Sequence, residues 1–253
     1  PYMTFFSLYT QSVDGTENAR VMEREPLSGF SGPGGLSANQ LGGLPRFREA
    51  VFHNAYPCIE LELFDDSIPL EVEMQAWSPM IPVDVLNSSI PAAVIEWHLV
   101  NPGKERVKYT LAFSVGNPLQ ALSDKRDKTD KENKMTPYVG EAWEGVTFST
   151  HPADSLKPGS GQFRVLFPSE GKIGLSVYNN HRGNEAYNFW SSFSNGRDLL
   201  ARTDTLVQDK DDADVAILQI SGSIDPGEAV VIPFLFNWHI PYRKVQSGGV
   251  KSL

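Results

Sequence analysis

Residues 58–77 read CIELELFDDSIPLEVEMQAW. Ile59, Leu61 and Leu63 alternate with Glu60 and Glu62. Beyond Asp65-Asp66-Ser67, Leu70, Val72, Met74 and Ala76 alternate with Glu71, Glu73 and Gln75. Successive side chains of an extended chain point to opposite faces, so each run is a strand with one dry and one wet face. Cys58 sits in the same apolar run and is expected to be a small buried residue. A reactive thiol there would need a neighbouring base, and the sequence shows none.

Downstream the period of two returns. Ala93, Ile95, Trp97 and Leu99 alternate with Glu96 and His98. Asn101-Pro102-Gly103-Lys104 is a turn signal, and Tyr109, Leu111, Phe113 and Val115 follow in alternation. The two runs are expected to form an antiparallel hairpin. Val146–Thr150, Phe163–Phe167 and Ile173–Tyr178 are short strand candidates. Val215–Ser221 and Val230–Trp238 are longer ones, joined at Asp225-Pro226-Gly227. Pro233 within the last strand points to an edge or a bulge, because proline gives the ladder no N–H. The best helical candidate is a short turn at Asn188–Phe193. Many strands, glycine- and proline-rich turns and little helix indicate an all-β fold: an antiparallel, two-sheet, supersandwich-like β-sandwich.

Two segments interrupt the pattern. Residues 28–45, SGFSGPGGLSANQLGGLP, read as a glycine-rich surface loop. Residues 123–134, SDKRDKTDKENK, carry charges of both signs and no apolar residue, and read as a solvated excursion. Residues 1–245 are expected to form one sandwich and 246–253 the start of a linker. The chain begins at Pro1 rather than Met, so a preceding segment is expected.

Composition narrows the function. Among 253 residues, 40% are hydrophobic, enough for a sizeable core. No apolar run reaches the roughly 20 residues of a membrane span, and no signal peptide is visible. A formal charge of −9 argues against a nucleic-acid partner, which calls for a basic face. One cysteine excludes an internal disulfide and a cysteine-based zinc site. His53, His98, His151, His181 and His239 show no metal-ligand spacing, and His98 is expected at the surface. Glycine-rich phosphate loops and serine-nucleophile motifs are absent, so neither a metal nor a cofactor is implied.

Several clusters have competing readings. Glu60, Glu62, Glu71 and Glu73 are either a solvated sheet face or, less simply, a carboxylate pair for acid–base work. Asp209, Asp211, Asp212 and Asp214 suggest a polar loop rather than a calcium site, lacking the glycine and glutamate of an EF-hand. His181 and Arg182, close before Tyr187 and Trp190, combine polar and aromatic groups. They are either sugar contacts or an ordered loop packed on the sandwich or on another domain. The apolar loop Trp77–Val85 holds Trp77, Met80, Ile81 and Val83 among prolines. Exposed, it would be a docking surface for another domain; buried, it is core.

A set of ordered motifs resembles one family. Gly43-Leu44-Pro45-Arg46-Phe47, Tyr56-Pro57, Phe64-Asp65, Ala76–Asp84 and Ser88–Val94 come first. Asn101, Phe113–Asn117 and Phe236-Asn237-Trp238-His239-Ile240-Pro241 follow in the same order. Together they resemble the N-terminal domain of glycoside hydrolase family 116, the β-glucosidase and non-lysosomal glucosylceramidase type. The glycine-rich opening usual in the family is not seen. The resemblance implies a retaining enzyme whose glutamate nucleophile and aspartate acid/base lie in a downstream (α/α)6 domain. No residue here matches either carboxylate, so this chain is expected to have no catalytic residue. Its implied partner is that catalytic domain of the same polypeptide. The alternative is a free-standing carbohydrate-binding sandwich.

Overall fold

A computed structural model describes residues 4–25, 43–119, 132–151, 160–169, 172–179, 185–197, 213–244 and 250–252. Six strands come first: β1 (Phe5–Gln11), β2 (Glu17–Arg24), β3 (Arg46–Phe47), β4 (Glu49–Ala55), β5 (Cys58–Phe64) and β6 (Glu71–Trp77). A helical turn, α1 (Val85–Ser88), leads to β7 (Ala92–Val100) and β8 (Val107–Gly116). Next are β9 (Glu132–Val139), β10 (Trp143–His151), β11 (Gln162–Pro168) and β12 (Lys172–Asn179). The chain closes with α2 (Glu185–Phe193), β13 (Ala213–Ile224), β14 (Ala229–His239), β15 (Tyr242–Lys244) and β16 (Val250–Ser252).

The strands form a two-sheet sandwich, as the alternation and turns require. One sheet has the order β12-β13-β8-β1-β2-β3 and the other β4-β5-β6-β7-β14-β11-β10-β9; β15 and β16 pair separately. Every pair is antiparallel except the short β2–β3 contact. Between the sheets, Leu8, Leu111, Phe113 and Leu218 meet Trp97, Leu99, Phe167 and Phe234. A second apolar cluster lies on the outer side of the six-stranded sheet. There Phe189 and Phe193 of α2 cover Phe5, Tyr9, Ala112, Val215 and Ile217.

Several expectations are corrected. β7 and β8 are not a hairpin: they belong to opposite sheets, so the Asn101–Lys104 turn crosses the sandwich. β13 and β14 cross beside them, and the partners are β7 with β14 and β8 with β13. Asn101 holds the two crossings together. Its buried amide donates to the carbonyls of Glu105 (2.8 Å) and Ile224 (2.9 Å) and accepts from the Gly103 N–H (2.9 Å). A turn sequence fixes a reversal of direction but not which sheet the next strand joins.

Pro233 is on an interior strand, not an edge or a bulge. Its ladder with β7 is regular, and the β11 ladder stops at Leu235↔Leu166. Two steps further Pro233 would face Pro168, and neither proline has an N–H to give. Cys58 is exposed. It shares the outward phase with Glu60 and Glu62, opposite Ile59, so the period of two places it outside. His98 is half-buried rather than superficial, with Nε2 shut from solvent. The helix at 188–193 starts earlier, at Glu185. Of the charged segment 123–134, residues 132–134 are strand, pairing with β10; the remainder lies outside the described residues, as does most of the glycine-rich segment 28–45.

One charged clasp joins the sheets. Arg20 on β2 reaches Asp65 at the β5–β6 turn, with Nε to Oδ2 at 2.9 Å, and its guanidinium also donates to the Ser67 hydroxyl. The Asp65 side chain is 1% exposed. Burial pushes its carboxyl upward, but hydrogen bonds from Ser67 and Arg20 outweigh it and hold the pKa below the ordinary aspartate value. A depressed folded pKa means stability that is present above the unfolded value and lost as pH falls through the folded one. Asp65→Asn is therefore expected to cost about 1.5–3 kcal/mol at neutral pH and to flatten the loss of stability below about pH 4. Urea unfolding of both proteins across pH 3–7 checks this.

Candidate docking surface

The segment between β6 and β7 turns its apolar side chains outward. Trp77, Met80, Ile81, Val83, Val85, Leu86 and Ile90 are all exposed, Val83 fully (102%) and Leu86 at 83%. Its backbone is nevertheless well bonded. Asp84 caps α1, its carboxylate accepting from the Asn87 N–H (3.0 Å). The Ser88 hydroxyl accepts from the Ile81 N–H (2.9 Å) and donates to the Ile81 carbonyl (3.0 Å). The Asp84 N–H donates to the same carbonyl (3.1 Å), and the Trp238 N–H anchors Pro91 (3.1 Å). Val83 adopts φ 71, a left-handed conformation costly for a β-branched residue. The loop thus holds an ordered shape in which its hydrophobes stay exposed.

Exposed aromatic side chains also occur on neighbouring elements. Cys58 pairs with Trp77, which sets the tip of the β4–β5 hairpin beside the loop. Phe52 and Tyr56 are exposed on that hairpin, and Trp238 of β14 is partly so. The Asn101 and Arg20–Asp65 clasps lie at the other end of the sandwich, so this end is not tied down by them.

Trp77, Met80, Ile81 and Val83 are each exposed, where the core reading of this loop expects burial. Sequence reasoning missed Leu86, Ile90, Phe52 and Tyr56. The signal for Leu86 was the Asp84-x-x-Asn87 cap, which starts a short helix there. Tyr187 and Trp190 share α2 but not an environment: Tyr187 is exposed, and Trp190 packs against Phe193 with ring centres 6.0 Å apart. His181 and Arg182 lie outside the described residues, and so do Asp209, Asp211 and Asp212.

The carboxylates stay on the outer face of the eight-stranded sheet. Glu62 faces Glu73 across the ladder, and His53 Nε2 lies 2.9 Å from Glu62 Oε1 in the open. Glu60 and Glu71 are exposed. An open face lacks the enclosed, partnered setting that tunes a catalytic acid. Among the described residues, no three His, Cys, Asp or Glu side chains converge as a metal site. No helix among them is long and apolar enough to cross a membrane.

This architecture defines the class: an antiparallel two-sheet β-sandwich with an ordered apolar loop at one end. The family model described as beta-glucosidase 2, glycosyl-hydrolase family 116 N-term, matches residues 2–252. The chain belongs to that family, as an N-terminal domain of family 116 glycosyl hydrolases. No curated protein matches it. Among solved structures, a polysaccharide lyase is similar at TM-score 0.49 and 9% identity, over 94% of this chain and 26% of that one. The GH36 α-galactosidase AgaA from Geobacillus stearothermophilus is similar at TM-score 0.38 and 10% identity, over 92% of this chain and 30% of that one. The chain therefore spans less than a third of the length of either.

Proposed function

We propose that this chain is the non-catalytic N-terminal sandwich of a β-glucosidase- or glucosylceramidase-like enzyme, and that it supports a downstream (α/α)6 catalytic domain. The observation that carries the reading is the hydrogen-bonded segment from Trp77 to Ile90 with seven exposed apolar side chains. Trp77, Met80, Ile81 and Val83 form its docking centre, and Val85, Leu86 and Ile90 extend it. A helical barrel offers the complementary surface, since apolar side chains on the outside of its helices gain from the same burial. The retaining chemistry needs two carboxyl groups about 5 Å apart around the glycosidic bond. The glutamates of this chain lie on an open sheet face, which supports placing the chemistry in the partner domain. No cofactor enters this reading, and the charge of −9 disfavours nucleic acid.

A second reading, a free-standing carbohydrate-binding module, finds its support in the exposed Tyr187 on α2. An activity assay separates the two. The purified 253-residue chain is expected to release no aglycone from an aryl β-glucoside, whereas the protein continued through the downstream helical domain does. Turnover by the chain alone overturns the proposal.

A further inference from the structure

The outer face of the six-stranded sheet changes character along its length. Under α2 it is apolar, and just past the C-terminal end of that helix it becomes a polar cleft of about 370 Å³. Two adjacent cross-strand rows make its floor. Glu17 pairs with Gln11, and Gln11 with Lys108; Tyr9 pairs with Thr110, and Thr110 with Ser221. Gln219 sits one step further along β13. The turn after α2 forms a wall: Gly196, at φ +62, lies so close over Tyr9 that a Cβ would come within 2.5 Å of the phenol oxygen. Asn195 stands beside it, its amide tied to the Ser191 carbonyl.

The groups are held in place by one another. Gln11 donates to Glu17 (2.9 Å), and the Thr110 and Ser221 hydroxyls lie 2.9 Å apart. Burial, and then the hydrogen bond to Glu17, push the Tyr9 phenol up to about 12, so it stays neutral and keeps Glu17 in position.

This lining selects a ligand chemistry. One ammonium and one carboxylate balance, so neither an anion nor a cation is favoured. The remaining groups are amides and hydroxyls, and amide and carboxylate side chains present two polar atoms in one plane, as neighbouring hydroxyls of a sugar require. The volume falls in the ~300–1,000 Å³ range of small-molecule sites, but the walls lack the apolar lining usual there. We infer that this cleft binds a neutral polyhydroxylated ligand of one or two sugar rings. The site is independent of the docking proposal. It lies at the end of the sheet near the β8 start, away from the Trp77–Ile90 loop.

Saturation-transfer NMR on the 253-residue chain, with cellobiose and methyl β-D-glucopyranoside as probes and inorganic sulfate as the control, tests this. Both sugars are expected to bind with millimolar affinity and sulfate not at all. Glu17→Gln and Gln11→Ala are each expected to weaken binding about tenfold, whereas Ile81→Ser in the docking loop leaves it unchanged. Thermal melts confirm that the variants are folded; should one not be, amide shift mapping on the parent protein takes its place. Shifts clustered at Gln11, Thr110 and Ser221 support the site. No binding of either sugar, binding that survives both cleft substitutions, or shifts elsewhere on the surface overturns it.

Discussion

Phe234→Ala is expected to lower the unfolding free energy by about 3–5 kcal/mol. Phe234 is fully buried and sits where the sheets meet. Its ring lies 5.0 Å from Phe6 and 5.8 Å from Phe113 of the six-stranded sheet, and 6.2 Å from Phe167 of its own. Phe6 and Phe113 are stacked on each other at 4.1 Å. Truncation removes one edge-to-face partner of each and leaves a cavity lined by two hydrogen-bonded sheets, which cannot collapse to fill it. Phe234→Leu keeps most of the volume and is expected to cost less than half as much. Equilibrium urea unfolding, with an unchanged slope, measures both.

Asn101→Asp is the second large effect, again about 3–5 kcal/mol by the same measurement. The aspartate has the same shape but no donor when ionised. The buried Ile224 carbonyl and the Glu105 carbonyl lose the amide they accept from and face a carboxylate instead. The backbone of Asn101 also bonds Glu228 and Gly227 across the neighbouring crossing, so the loss is felt by both inter-sheet connections. The nearby Arg106–Asp225 pair spans the same crossing but is solvent-exposed. Its removal is expected to change stability little, because water and salt screen such pairs.

The fold was legible where one strand face is wet and the other dry. β5, β6, β7 and β8 announce themselves that way. β1 did not, because Phe5–Gln11 is covered on one side by the core and on the other by α2, so its burial does not alternate. β4 is the opposite case: an edge strand, mostly exposed on both sides. The misplaced hairpin at Asn101 shows the remaining gap. Local sequence specifies that the chain turns, whereas the pairing of β7 with β14 depends on residues more than a hundred positions away. Met80, Ile81 and Val83, following Trp77 at the end of β6, were readable as a candidate docking loop because apolar residues between prolines have no place in a regular strand. The polar cleft was not readable. Gln11, Glu17, Lys108, Thr110 and Ser221 each look like ordinary wet-face residues, and only the strand order brings them together.

The central claim is that the Trp77–Ile90 loop is covered by a catalytic domain. Hydrogen-exchange mass spectrometry compares peptides over residues 77–90 in the 253-residue chain and in the enzyme that includes the helical domain. Side-chain burial alone protects amides only where the loop opens less often, so the loop is expected to exchange at least about tenfold more slowly in the enzyme, with Phe52–Tyr56 following it. Equal exchange at 77–90 in both proteins, with protection appearing on another face of the sandwich, would contradict the account.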